Sequence, residues 1–270
     1  MLLSVVVITY NHGRWIRQCL DGIIMQQTDF PVEIIVHDDA STDGTADIIR
    51  QYAAEHPDTI VPLLRTENQY NRHRNFNRIL SDCFDRCRGE YIAICEGDDY
   101  WTDPRKLQRQ VDFLRNHHDF SLCFHNATVF SPSEEPKPFA RLENREYSAR
   151  ELISRWISPT ASFLFRASVV RSDLYRRVVD SKKLLVGDSP IMRTALAHGR
   201  VYGFADAMSA YRRLPGGALA SLQAPEMVMP LIRQEREYAR IFGGESRRNA
   251  RRLILRALPY LLLHPRHLFD

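Results

Sequence analysis

The residues most able to do chemistry form the acidic group Glu96-Gly97-Asp98-Asp99. This group follows an apolar run, residues 91–95, whose composition predicts a buried strand. Carboxylates clustered at the end of a strand offer oxygen ligands that suit Mg²⁺ or Mn²⁺ carrying a diphosphate. Adjacent residues of an extended chain point to opposite sides, so one aspartate can hold the metal while the other binds a sugar hydroxyl. The alternative is a loop of solvated acids.

The elements that must position these carboxylates alternate between strand and helix over the first 125 residues. Apolar, partly β-branched runs predict strands at residues 4–9, 33–37, 60–64 and 91–95. Helical spacing and capping signals predict helices at residues 14–24, after 41–44, at 75–88 and from Asp103-Pro104 onward. This order predicts an α/β fold with a Rossmann-like, mainly parallel central sheet flanked by helices.

Polar residues also follow two other predicted strands, as Thr9-Tyr10-Asn11 and as Asp38-Asp39. Ligands of open parallel sheets bind beyond the carboxyl ends of the strands, where these residues would lie. A carboxylate there can accept the imide N–H of a pyrimidine or bind ribose hydroxyls. The alternative role is a helix cap, which the neighbouring segment 41–43 already supplies.

After residue 125 the alternation is less regular. The polar, proline-rich segment 131–138 predicts a loop, and residues 161–165 and 201–204 predict further strands. Asp188 precedes a predicted helix in which Pro190 takes the first position. The Asp188 carboxylate has two interpretations: a base that takes the proton of an acceptor hydroxyl, or a helix cap.

Composition excludes several other classes of protein. The 270 residues are 44% hydrophobic and 26% charged, as in soluble globular proteins, and hold no apolar stretch of membrane-spanning length. The N-terminal residues 1–8 predict a first strand rather than a signal peptide. Five scattered cysteines indicate reduced thiols in a cytosol. Walker A, Gly-x-Gly-x-x-Gly, Gly-x-Ser-x-Gly and His-x-x-x-His patterns are all absent from the sequence.

The C-terminal segment is basic. Residues 231–270 contain nine arginines and four acids, a net charge of +5, so the other 230 residues carry −1 of the total of +4. Residues 247–263 mix arginine with leucine, which favours either an interfacial helix on anionic lipid or a helix packed on the protein or on a second copy in a homo-oligomer. Pro259 predicts a kink or break there. Because the rest of the chain lacks a basic stripe, we expect no nucleic-acid partner.

The motifs at residues 5–11, 38–45 and 96–101, in this order and spacing, resemble those of the family 2 glycosyltransferases, inverting enzymes with the GT-A fold. The resemblance covers residues 2–221. It implies a GT-A domain at 1–221, with a nucleotide-sugar-binding half at 1–125 and an acceptor-binding half at 126–221. Residues 222–270 would then form a C-terminal helical extension.

The resemblance also implies roles for individual residues. Asp188 matches the general base, Asp99 and Asp98 match the metal site, and Arg212 or Arg213 would clamp the diphosphate. The nucleotide-sugar would be held by residues that follow the first strands: Thr9, Tyr10, Asn11, Asp38, Asp39, Arg74 and Asp98. The acceptor pocket is expected within residues 124–165, including His125, Thr160 and Ser162.

The implied activity is metal-dependent, hexosyltransferase-like transfer with Mn²⁺ or Mg²⁺. A sugar would move from a nucleotide-sugar, by family habit a UDP-sugar, to a glycan or lipid-linked glycan of bacterial polysaccharide synthesis. We expect a cytoplasmic enzyme, with a peripheral position on the inner face of the membrane as the alternative. Two rival classes remain: a nucleotidyltransferase acting on sugar phosphates, and an inactive nucleotide-sugar-binding module.

Three positions depart from the family pattern. Glu96 stands where the family commonly has aspartate, and Gly187 replaces the usual acid before the base. Residues 211–217 resemble the family's lid but lack its histidine.

Overall fold

The computed structural model describes residues 1–70, 76–181, 188–214 and 227–263, with side chains as far as Ala257. Within these residues the strands are β1 Leu3–Thr9, β2 Val32–Asp38, β3 Ile60–Leu64, β4 Tyr91–Glu96, β5 Tyr100–Trp101, β6 Phe120–Ser131, β7 Glu134–Pro138, β8 Arg145–Glu146, β9 Leu164–Arg166 and β10 Arg200–Arg212.

The helices are α1 Ile16–Ile24, α2 Thr45–Glu55, α3 Phe76–Phe84, α4 Lys106–Asn116, α5 Ala149–Ser154, α6 Ser168–Arg171, α7 Asp173–Val179, α8 Asp188–His198, α9 Val228–Phe242 and α10 Gly244–Leu263. A single 3₁₀ turn, Thr160–Ser162, precedes β9.

All ten strands belong to one sheet, whose main path runs β3-β2-β1-β4-β9-β6-β10-β5. The first four are mutually parallel, as predicted, and β9 joins them antiparallel to both β4 and β6. The chain turns toward β3 after β1 and returns to the other side of β1 with β4. The carboxyl ends of β1 and β4 therefore form a switch point, where open α/β sheets bind ligands.

Alternate residues of the central strands enter two different hydrophobic cores. In β1, Val5 and Val7 pack beneath α1, α2 and α4, whereas Val6 and Ile8 pack toward α3 and α8. Because both faces are covered, these strands are apolar along their whole length, which explains the continuous runs in the sequence. The cysteines are free and buried within the protein.

Three local predictions were wrong. Residues 131–138 are not a loop: β7 pairs antiparallel with the end of β6 and remains fully exposed at an edge, where prolines are tolerated. Helix α4 begins at Lys106, two residues after Pro104. Helix α8 begins at Asp188, so Pro190 is its third residue, where no intrahelical N–H bond is lost.

The C-terminal helices α9 and α10 pack against each other, and α10 also contacts α5. Buried Arg193 of α8 anchors the pair, because its guanidinium donates to Glu235 of α9 and to Ser246 of α10, each at 2.7 Å. Helix α10 continues past Pro259 instead of dividing there. The extension thereby fixes the helix that begins with Asp188.

At the amino ends of the parallel strands, Glu33 connects β1, β2 and the segment before β4. Its buried carboxylate accepts from the Ser4 hydroxyl at 2.6 Å and from the backbone and side chain of Arg88, both at 2.7 Å. Burial alone would raise the pKa of Glu33, but these hydrogen bonds outweigh it and hold the pKa below 4.5.

Replacing Glu33 by glutamine should lower the free energy of unfolding by about 1–3 kcal/mol, because a buried acceptor and its charge are lost. Because folding lowers the pKa of Glu33, its carboxylate stabilises the folded state fully only above pH 4.5. The difference in the free energy of unfolding between wild type and variant should therefore shrink as the pH falls below that value. Urea unfolding at several pH values measures this, with exposed Glu55→Gln as the control. A pH-independent difference would contradict the assignment.

Candidate functional site

The three predicted polar segments meet at one rim of the sheet. Strand register places Thr9 beside Asp38 and Ile8 beside Glu96. The backbone N–H of Gly97 donates to the Ile8 carbonyl at 2.9 Å, and that of Asp39 donates to the Thr9 carbonyl at 3.0 Å. The segments after β1, β2 and β4 are thus held side by side.

Asn11 joins the first two of these segments. It lies in the left-handed region with φ 55°, and its side-chain carbonyl accepts from the Thr42 N–H at 2.8 Å. Its own N–H donates to the Ser41 hydroxyl at 2.8 Å. Ala40, across the junction, is also left-handed with φ 63°. Two non-glycine residues held in this region mark a backbone that the surrounding contacts force into shape.

Asp38 and Asp39 are both buried but serve different contacts. The Asp38 carboxylate accepts from the Ser41 N–H at 3.1 Å and from the Ser41 hydroxyl, so it is used within its own turn. The Asp39 carboxylate accepts from the N–H groups of Gln69 and Tyr70 at 2.6 and 3.0 Å. Asp39 thereby holds the segment after β3 next to the carboxyl ends of β1 and β2.

A cavity of about 200 Å³ opens between these segments. Its lining is mostly apolar, and the polar residues that line it include Thr9, Tyr10, Asp39 and Asp98. Tyr70, which no motif indicated, also lines the cavity. A mostly apolar pocket with a few converging polar groups is the usual form of a small-molecule site.

The acidic turn after β4 is tightly built around Gly97. A Cβ at this position would lie 2.6 Å from the Thr9 hydroxyl and 2.9 Å from His12 Nδ1. Buried polar atoms of Thr9, His12 and Glu96 (Oγ1, Nδ1 and Oε2) have no hydrogen-bond partner in the described part of the chain. Buried polar atoms are normally paired, so these three mark a place where a ligand can bind.

The carboxylates of the turn differ in exposure. Asp99 is buried and accepts from the Arg212 N–H at 2.8 Å, whereas the Asp98 side chain is 25% exposed and lies 4.0 Å from His12 Nε2. Burial, together with the neighbouring charge of Asp98, raises the pKa of Glu96 to about 8. Burial and the charges of Asp98 and Glu96 raise the pKa of Asp99 well above its usual value.

Arg212 closes the turn from β10. Its guanidinium lies 4.5 Å from the centroid of the Trp15 ring and 4.6 Å from that of Tyr100, and it donates to the Asp98 carbonyl and to Gln18. Arg213 is exposed, and its N–H donates to the Phe130 carbonyl at 2.8 Å. Arg74, Gly187 and the predicted lid from Pro215 to Gly217 lie outside the described residues.

Asp188 is the first residue of α8 in the described part of the chain. Its Oδ1 accepts from the Ser189 N–H at 2.7 Å, and its Oδ2 accepts from Trp156 Nε1 at 2.8 Å. Burial raises the pKa of Asp188, and the charge of Asp188 contributes to the raised pKa of Glu96. Contacts also link Asp188 to the acidic turn: the ring of Trp156 packs on that of Tyr211, and the N–H of the next residue, Arg212, donates to Asp99.

Two residues expected in the acceptor pocket are elsewhere. His125 and Ser162 are completely buried in the core, so they cannot line an open pocket. Thr160 is partly exposed, and its hydroxyl lowers the pKa of Glu96. Trp156, which contacts Asp188 directly, was not predicted, because no local motif indicates a partner 32 residues away in the chain.

No group of three or more His, Cys, Asp or Glu side chains among the described residues is arranged to hold a metal ion by itself. Mg²⁺ is usually bound through one or two carboxylates plus substrate phosphates rather than by an all-protein cage. Asp98, Asp99 and the unpaired Glu96 oxygen fit a cation that also takes ligands from a diphosphate.

The fold is the GT-A fold, which solved glycosyltransferases share. Residues 1–349 of TarS from S. aureus, in complex with UDP-GlcNAc, match 92% of this chain and 69% of that one, with a TM-score of 0.70 and 20% identity. The mannosyltransferase PcManGT from Pyrobaculum calidifontis, in complex with GDP-Man and Mn²⁺, matches 95% of this chain and 75% of that one, with a TM-score of 0.60 and 17% identity.

The sequence comparisons give the family. The family model for Glycosyl transferase family 2 matches residues 4–174, and the chain belongs to that family. An uncharacterized protein of Mycobacterium tuberculosis is 36% identical over 259 residues, 90% of this chain and 72% of that protein. The putative glycosyltransferase EpsE of Bacillus subtilis is 34% identical over 128 residues, 47% of this chain and 44% of its own. The dTDP-rhamnosyl transferase RfbG of Shigella flexneri is 32% identical over 124 residues, 46% of this chain and 39% of its own.

Replacing Asp99 by asparagine should stabilise the ligand-free protein at about pH 8 by about 1–3 kcal/mol, because a buried charge beside two other carboxylates is removed. Folding raises the pKa of Asp99 above its usual 3.8, so the charge destabilises the folded state increasingly as the pH rises. The gain should vanish as the pH falls toward 3.8.

Urea unfolding measures the effect, and Asp98→Asn is the matched control. Since the Asp98 side chain reaches solvent, its replacement should give a smaller gain. Equal gains, or a gain that persists at low pH, would show that Asp99 is not the strained carboxylate.

Proposed function

We propose that this protein is a metal-dependent, inverting glycosyltransferase that moves a sugar from a nucleotide-sugar to a hydroxyl of a glycan or lipid-linked glycan. The observation that carries this proposal is the set of contacts that links Asp188 to the acidic turn of residues 96–99. Trp156 donates to Asp188 and its ring packs on Tyr211, and the N–H of the next residue, Arg212, donates to Asp99. A carboxylate that faces a donor-binding rim can take the proton of an attacking hydroxyl while the leaving group departs on the other side.

The donor would occupy the cavity at the rim. Tyr10 and Tyr70 offer ring faces for a base, and Asp39 and Thr9 offer polar groups for the base and ribose. Asp38 would not contact the donor but would stabilise the adjacent turn by accepting hydrogen bonds from Ser41. We propose a UDP-sugar as donor, because a pyrimidine with an imide N–H suits a carboxylate acceptor. The dTDP named for RfbG has the same imide group.

A divalent cation, Mn²⁺ or Mg²⁺, would be held by Asp99 and Asp98 together with the donor diphosphate. When bound, it would supply positive charge that stabilises the departing nucleoside diphosphate. Its charge would also lower the pKa values of Glu96 and Asp99, which are raised in its absence. Arg213, exposed at the end of β10, could add a charge-assisted hydrogen bond to the diphosphate.

Asp188 is the proposed general base. Its two oxygens already accept one hydrogen bond each, which fixes the direction of the carboxylate. The raised pKa makes it a stronger base than a solvated aspartate. Attack of the activated hydroxyl on the anomeric carbon from the face opposite the diphosphate would invert the configuration.

The two rival classes fit the site less well. A nucleotidyltransferase needs backbone N–H groups free to cradle phosphates after the first strand, yet the Gly13 N–H donates to Asp43 at 2.8 Å. An inactive binding module would have no use for a base opposite the donor rim, whereas Asp188 stands there with both oxygens oriented.

The acceptor class is proposed from the relatives. TuaG of Bacillus subtilis, 32% identical over 113 residues, is named a putative teichuronic acid biosynthesis glycosyltransferase.

The proposed location is the cytoplasm, with α10 resting on an anionic membrane surface. Arg247, Arg251 and Arg256 are exposed at different points along α10, and Leu255 is 66% exposed. No helix in the described ranges is long and apolar enough to cross a bilayer.

Replacing Asp188 by asparagine should leave donor binding unchanged and slow transfer by about 10²–10⁴-fold, because the base is lost while the donor rim is intact. Thermal shift with UDP-, dTDP- and GDP-sugars, with and without Mn²⁺, measures binding. Transfer of the stabilising donor to methyl hexopyranosides is followed by mass spectrometry.

The control for this variant is Asp173→Asn, an exposed aspartate at the start of α7. The control should transfer at the wild-type rate. Normal transfer by Asp188→Asn would refute the base, and a lack of stabilisation by any sugar nucleotide with Mn²⁺ would refute the proposed function.

Reversing the charge of Arg247, Arg251 and Arg256 together to glutamate should abolish flotation with phosphatidylglycerol vesicles, since each arginine near an anionic surface contributes about 1 kcal/mol. The matched control reverses Arg50 and Arg115, which are exposed on α2 and α4, and Arg105, which is exposed just before α4. The control should float like wild type, and equal flotation of both triple variants would exclude α10 as the lipid contact.

A further inference from the structure

Three aromatic side chains converge beside Asp188 without belonging to the donor cavity. The ring centroids of Phe139, Trp156 and Tyr211 lie 4.9, 5.4 and 5.8 Å apart, and each pair is nearly perpendicular. The residues come from three places in the chain: after β7, after α5 and near the end of β10. Such edge-to-face contacts stabilise a fixed arrangement of rings.

Trp156 is exposed and yet held in place. Its side chain is 43% exposed, among the largest exposed apolar surfaces of the described residues. Its indole N–H nevertheless donates to Asp188 Oδ2 at 2.8 Å, and its ring contacts both other aromatics. An exposed aromatic ring that is already held in one orientation is a suitable binding surface for a ligand.

The cluster also connects the two parts of the catalytic site. Tyr211 lies beside Arg212, whose N–H binds Asp99, and burial together with the charges of Asp99 and Glu96 raises the pKa of Tyr211. Trp156 contacts Asp188 on the other side. A molecule resting on these rings would therefore lie between the proposed base and the acidic turn.

We infer that Phe139, Trp156 and Tyr211 form the stacking subsite for the acceptor, and that its occupant is a pyranose ring. This inference rests on the proposed function. A pyranose has an apolar C–H face that packs on an aromatic ring and hydroxyls at its rim that reach polar groups. Stacked on Trp156, the ring presents a hydroxyl to Asp188, because the indole edge is fixed to that carboxylate.

The subsite also makes Trp156 a positioning residue for Asp188. The indole holds the acceptor with its face and the base with its N–H, so the two reactants are aligned by one side chain. Trp156→Phe keeps an aromatic face and loses the N–H, whereas Trp156→Leu loses both. The two variants separate stacking from positioning.

The test is saturation-transfer NMR of methyl hexopyranosides with the full chain, in the presence of UDP and Mg²⁺, which is diamagnetic and leaves the proton signals sharp. Wild type should transfer saturation to pyranose C–H protons more strongly than to sorbitol, which has the hydroxyls but no ring. Trp156→Leu and Phe139→Leu should each weaken pyranose binding by about three- to tenfold, the usual contribution of one aromatic contact. Trp156→Phe should bind more tightly than Trp156→Leu.

The matched control is Phe204→Leu, which removes an aromatic side chain from the ring cluster at the other end of β10. This variant should bind pyranosides like wild type. Wild-type affinity in both Trp156→Leu and Phe139→Leu, or no preference of wild type for pyranosides over sorbitol, would overturn the inference. UDP binding, measured by calorimetry on the same samples, reports separately on the proposed function.

Discussion

Crowding of negative charge in the turn after β4 is the constraint on which the rest of the structure depends. Glu96, Asp98 and Asp99 lie within four residues, and burial raises the pKa values of the first and the last. Such a turn destabilises the ligand-free protein, because buried carboxylates lose hydration and repel one another. In the proposed function, a cation with its diphosphate would relieve this repulsion.

Several parts of the fold serve to hold this turn in place. Gly97 permits close contact with Thr9 and His12, and Arg212 holds the turn from β10 through the Asp98 carbonyl and the Asp99 carboxylate. Arg212 and Arg213 were the two candidates to clamp a diphosphate; in this structure the guanidinium of Arg212 contacts Gln18 and two aromatic rings. Its contacts make it a support of the acidic turn, and exposed Arg213 is the freer side chain for a ligand.

The second half of the chain positions Asp188, the proposed base. Helix α8 begins at Asp188 and is anchored by Arg193 to the two C-terminal helices. The C-terminal extension therefore has a structural role near the site as well as its basic surface. Trp156 completes the arrangement by fixing the carboxylate that the helix presents.

The sequence predicts the parallel half of the fold because its signals are local: apolar runs form buried strands, and polar residues follow their ends. The same reasoning places Thr9, Asp38 and Glu96 on one rim, which the strand register confirms. It misses β7, because an exposed edge strand has no apolar pattern.

Contacts between distant residues are not visible in local patterns either. Nothing in the sequence distinguishes Asp38, bonded within its own turn, from Asp39, bonded to the segment after β3. The indole bond to Asp188 is equally hidden, because it joins segments whose proximity only the complete sheet determines.

The most direct test of the central claim is a crystal structure of the protein soaked with Mn²⁺ and UDP, with anomalous scattering recorded for manganese. The account predicts one anomalous peak that touches the carboxylate of Asp98 or Asp99 and the diphosphate, with the uracil beside Asp39. A nucleotide bound elsewhere, or a manganese peak away from the turn after β4, would contradict it.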